Sequence, residues 1–111
     1  MRATRIVLLV AAVTLSAPAG ADTVLLGNGD SLTGELQVTE LTVLIPTGGL
    51  RIGRGEISQV VFGTATGDTV EFRSGRSVGG TVDQPSYAIR LPSGQTVVLE
   101  RERILVVRFS K

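Results

Sequence analysis

Asp22-Thr23-Val24-Leu25-Leu26-Gly27-Asn28-Gly29-Asp30-Ser31-Leu32-Thr33-Gly34-Glu35-Leu36 decides the fold class. Aliphatic residues run into an Asn-Gly pair, and residues 31–36 then alternate apolar and polar. That period of two is what a half-buried strand requires. Asn28-Gly29 between two such runs predicts a tight hairpin, because both central positions of a type I′ turn need positive φ. The pattern continues outward. Residues 41–45 read as a strand, Pro46-Thr47-Gly48-Gly49 as a turn, and residues 50–52 as the returning strand. A polar turn over residues 54–56 leads into a last strand over residues 57–62. After residue 21 no helical periodicity exceeds a single turn, so the chain reads as all-β.

The stretch is written twice. Asp22-Thr23-Val24 recurs as Asp68-Thr69-Val70, an offset of 46. At that offset Gly29 meets Gly75, Gly34 meets Gly80, Leu36 meets Val82 and Pro46 meets Pro92. One inserted residue raises the offset to 47, where Arg54 meets Arg101, Ile57 meets Ile104, Val60 meets Val107 and Phe62 meets Phe109. Ordered matches with a single slip indicate a tandem duplication. The expected organisation is a first module over residues 22–63, a linker over 64–67 and a second module over 68–111. Each module has five short strands spaced by turn signals, which predicts a small barrel or curled sheet.

Ahead of the modules, Arg2 and Arg5 precede an apolar run of about ten residues. Small residues follow, ending in Ala19-Gly20-Ala21. A basic start, an apolar middle and an A-x-A ending are the parts of a cleaved secretory signal over residues 1–21. The run is shorter than the ~20 residues that cross a bilayer, so the mature chain is expected to have no transmembrane segment. Periplasmic or secreted localisation follows. The 111 residues carry 11 bases and 10 acids. Without Arg2 and Arg5 the balance becomes −1, which removes the support for binding nucleic acid through a basic surface. Cysteine and histidine are absent. That excludes disulfides, the usual zinc sites, Cys nucleophiles and His-based triads. Asn28-Gly29-Asp30 offers too few oxygens for a calcium loop. No cofactor, metal or catalytic residue is assigned, and the expectation is a protein that is not an enzyme.

Comparison of the two modules assigns faces. Val70 and Phe72 alternate with Thr69, Glu71 and Arg73, so Val24 and Leu26 are expected in the core and Leu25 outside. Leu44 stands where the second module has Arg90, and Val61 where it has Arg108. Aliphatic residues at positions charged in the other copy suggest a covered face. Leu25, Leu44 and Val61, with Val98, Leu105 and Val106 in the second module, are the candidate interaction surface. Phe62, Phe72, Tyr87 and Phe109 all fall at inward positions. Glu100 and Glu102 alternate with Arg101 and Arg103, as in an exposed turn of surface ion pairs. Modules of this length lie near the ~40-residue limit below which a domain needs staples or association. Residues 22–63 carry five acids against two bases, and residues 68–111 five against seven. Halves of opposite sign favour packing on each other or self-association.

Residues 24–36 resemble the first signature of Sm-like small barrels: an aliphatic strand, a glycine turn, and Gly34 before an aliphatic-rich bend. Arg54-Gly55-Glu56-Ile57-Ser58-Gln59-Val60 is similar to the second signature, an Arg-Gly pair entering the last strand. The chain resembles most the short Sm-like repeats of exported bacterial envelope proteins. That resemblance implies tandem small β-barrels, and the Sm name implies RNA binding. The loop residues that line the Sm RNA site are not matched, however. Val38-Thr39-Glu40-Leu41-Thr42 holds no Asn and carries an acid, and Arg101-Glu102 replaces Arg-Gly in the second copy. The expected function is a non-catalytic envelope module that binds a protein partner or itself through sheet edges and an apolar face. A periplasmic module binding a ligand or polysaccharide is the alternative, and RNA binding the third reading.

Overall fold

The computed structural model describes residues 21–64 and 67–110, so the expected signal segment lies, but for Ala21, outside them. The described residues form ten strands in chain order: β1 (Asp22–Leu26), β2 (Ser31–Leu36), β3 (Glu40–Ile45), β4 (Gly48–Gly53), β5 (Ile57–Thr64), β6 (Gly67–Phe72), β7 (Ser77–Val82), β8 (Ser86–Arg90), β9 (Thr96–Glu100) and β10 (Ile104–Arg108). Single 3₁₀ turns at Arg54–Glu56 and Arg101–Arg103 join β4 to β5 and β9 to β10. Among the described residues no helix is long and apolar enough to cross a membrane.

The hairpins differ in detail from the expected two-residue turn. Leu26 accepts the Gly29 N–H through its carbonyl at 3.1 Å and donates its own N–H to Asp30 at 2.8 Å. Phe72 to Arg76 and Leu91 to Gln95 repeat both bonds. Each is a three-residue loop that needs positive φ only at its last position. Glycine supplies it at Gly29 (95°), Gly75 (96°) and Gly94 (92°). Asn28 helps from its side chain, accepting the Asp30 N–H and donating to the Asp30 carboxylate.

All ten strands form a single antiparallel sheet in the order β9-β8-β2-β1-β10-β5-β6-β7-β3-β4. The two five-stranded small barrels or curled sheets expected from the sequence are therefore merged into one sheet, with their strands interleaved. β2 does not pair with β3. It pairs with β8, matching Glu35 with Arg90 and Leu36 with Ile89. Reciprocally β7 pairs with β3, matching Val43 with Val82. Connections of three residues carry the chain across. Gln37 donates its N–H to Ala88, and Asp83 donates to Thr42, each at 2.8 Å. Two glycines permit the crossings. A Cβ on Gly34 would lie 2.3 Å from the Arg90 carbonyl oxygen, and one on Gly80 2.5 Å from that of Leu44.

This exchange answers the size problem of a 40-residue module, because neither half buries its apolar face alone. One core cluster runs through both halves, from Val24, Leu36 and Val43 to Tyr87, Ile89 and Val107. At its centre Val24 pairs with Val107 and Val107 with Val60, joining β1, β10 and β5. All three are essentially inaccessible to solvent. Phe62, Tyr87 and Phe109 are buried and Phe72 is partly so, as their inward positions anticipate. Among the described residues the sheet does not close: β9 and β4 end it.

Candidate functional site

Two buried aspartates open β1 and β6, and each is engaged by an arginine from a 3₁₀ turn. Asp22 is fully buried. Its carboxylate accepts the Leu36 N–H at 2.8 Å, the Ser110 N–H at 2.9 Å and the Ser110 hydroxyl at 3.0 Å. Arg54 Nη2 donates to both carboxylate oxygens at 2.7 Å, while Nη1 donates to the Leu36 carbonyl at 2.8 Å. The guanidinium lies 5.1 Å from the centre of the Phe109 ring, within range of a cation–π contact. Burial pushes the Asp22 carboxyl up. The Ser110 and Leu36 amides, Arg54 and the Ser110 hydroxyl outweigh it, leaving the group below its ordinary value. Such a carboxylate holds chain segments together. Its lone pairs are taken by donors, so it is poorly placed for proton transfer.

Asp68 repeats the arrangement at an offset of 46. It accepts the Val82 N–H at 2.9 Å and the Gly63 N–H at 3.2 Å, and it is paired with Arg101 Nη2. Arg101 Nη1 donates to the Val82 carbonyl at 2.7 Å, and its guanidinium lies 5.5 Å from the Phe62 ring centre. Arg101 is thus drawn inward, where the sequence pattern suggested an exposed turn of surface ion pairs. The reason is local: Asp68 is 2% exposed and a buried carboxylate needs a partner. Strand alternation and turn signals alone do not reveal these clasps. A signal was present, since Asp22/Asp68 and Arg54/Arg101 all recur where neighbouring charges do not.

The six candidate surface residues fall in four places. Leu25, Val106 and Val61 are cross-strand neighbours on β1, β10 and β5, forming one half-buried row on the face opposite the core. A shallow hollow of about 240 Å³ adjoins it, lined by Thr23, Leu25, Ser31, Val106 and Arg108. Leu44 is 45% exposed on β3, one strand from the β4 edge, where Leu50 is also exposed. Val98 is 65% exposed on β9, the opposite edge. Leu105, 46% exposed, lines a second cleft of about 290 Å³ beside Asp68 and Arg101. Among the described residues no three carboxylates gather to hold a metal ion. The chain matches no protein-family model, no curated protein and no solved structure.

Proposed function

We propose that the protein is an exported, non-catalytic module of the bacterial envelope, a tandem of Sm-like repeats that joins protein chains by adding strands at its sheet edges. The observation that carries this reading is the pair of open ends. β4 and β9 each have a strand partner on one side only among the described residues. An unpaired edge presents free N–H and C=O groups to another chain. Neither β4 (GGLRIG) nor β9 (TVVLE) contains the proline or lysine that commonly guards an edge. Exposed aliphatic side chains stand beside both: Leu44 and Leu50 at one end, Val98 at the other. The central row of Leu25, Val106 and Val61 supplies the apolar face.

The test compares the protein with Leu50→Lys and Val98→Lys variants by light scattering over a concentration series, and by the proteins recovered with each from the envelope. These sites are exposed, so the variants fold. Association that weakens in both variants supports the reading. A monomer at all concentrations, recovering the same proteins with or without the lysines, overturns it.

A further inference from the structure

The two aspartate–arginine clasps are not finished alike. At Asp22 the chain covers its own clasp with Arg73. Arg73 Nε donates to the Gly55 carbonyl at 3.0 Å, and Nη2 donates to the carbonyls of Phe109 (3.2 Å) and Ser110. The residue at Arg73's position in the other half is Gly27. The backbones there correspond: Arg73 donates its N–H to Glu56, and Gly27 donates its N–H to Arg103, each at 2.9 Å. The counterparts of Arg73's three acceptors are Glu102, Phe62 and Gly63. All three line the open 290 Å³ cleft beside Asp68. The cleft therefore lies where a second guanidinium sits in the other half.

We propose that this cleft binds an arginine side chain presented by a partner polypeptide. Three features favour arginine over other groups. Glu102 replaces Gly55, placing a carboxylate where the counterpart has none, and carboxylates pair with guanidinium bidentately. Leu105 replaces Ser58, adding an exposed aliphatic wall for the methylene stem of a long cationic side chain. Arg101 is no obstacle, because its charge is matched by Asp68. In the other half Arg54 over the Phe109 ring and Arg73 on the Phe109 carbonyl share one such site. The proposal rests on this cleft and its counterpart, independently of strand addition at the edges.

The probe is N-acetyl-L-arginine amide, followed by amide shifts in ¹⁵N-labelled protein, with the neutral citrulline analogue as control. Saturable shifts at Gly63, Glu102 and Leu105 with arginine and not with citrulline are expected. Glu102→Gln weakens the binding about two- to fivefold, the range of an exposed ion pair. Gly27→Arg fills the cleft from within and abolishes it. A Cβ at Gly27 meets only the Arg103 carbonyl oxygen, at 3.8 Å, so the substitution fits. Arg73→Ala is the converse: it opens the Asp22 side, and arginine amide then also shifts Gly55 and Ser110. Absence of saturable shifts in the protein overturns the proposal. So does an equal response to citrulline, or unchanged binding in folded Gly27→Arg. If Gly27→Arg does not fold, Glu102→Gln decides: unchanged arginine binding in that variant overturns the proposal.

Discussion

Replacing Arg54 with methionine removes one partner of a buried pair and leaves the other. Asp22 is 1% exposed in its side chain and Arg54 27%. Without Arg54 the carboxylate keeps the Leu36 and Ser110 donors and loses both 2.7 Å bonds to the guanidinium. Breaking a buried ion pair from one side costs about 3–5 kcal/mol. The lower end applies, since Arg54 keeps partial access to water. About 3 kcal/mol is a large share of the ~5–15 kcal/mol that holds a domain folded. With a urea dependence near the low end of ~1–3 kcal/mol/M, the unfolding midpoint falls by about 2–3 M. Adding Asp22→Asn removes the stranded charge, so the double variant regains half or more of the loss. A urea titration of wild type, both singles and the double closes the cycle. A loss under about 1 kcal/mol for Arg54→Met, or a double as poor as the sum of the singles, refutes the clasp as a stabilising element.

Acid is expected to act through the same group. The folded Asp22 carboxyl lies below its ordinary value of 3.8, so its contribution is complete above that value and is lost as pH falls through the folded pKa. Thermal midpoints measured from about pH 5 down to pH 2 therefore drop more steeply in wild type than in Asp22→Asn. Gly34→Ala forces a methyl group onto the Arg90 carbonyl at the β2–β8 crossing and costs about 1–3 kcal/mol by urea unfolding. Gly55→Ala, where a Cβ meets nothing within 4 Å, stays within about 0.5 kcal/mol. The buried Tyr87 hydroxyl has no hydrogen-bond partner among the described residues. Tyr87→Phe raises stability by about 1 kcal/mol in a thermal melt, and a loss of that size shows that the hydroxyl has a partner.

Local patterns carried the strands well, because alternation and turn residues act within a few positions of each other. Residues 31–36 and 41–45 take the expected form, and Tyr87 and Val24 reach the core. Pairing was less legible. A strand such as β2 presents the same alternating face whether its next neighbour is β3 or β8, so period alone does not choose between them. Gly34 and Gly80 mark the crossings, yet in sequence they read equally well as strand glycines beside a bend. The clasps are legible only in the charges that recur in both halves. Asp22, Asp68, Arg54 and Arg101 do; Arg73, opposite Gly27, does not. That one difference separates a covered clasp from an open cleft.

The central claim is that one open sheet offers β4 and β9 for strand addition. Amide hydrogen exchange, resolved by residue, tests it most directly. In dilute protein the outward amides of β4 (Gly48–Gly53) and β9 (Thr96–Glu100) exchange rapidly while those of β1, β10 and β5 are protected. At concentrations where the protein associates, or with its partner bound, the same edge amides become protected. Edge amides already protected in the dilute monomer contradict the open sheet, and edge amides that stay unprotected in the assembled form contradict strand addition.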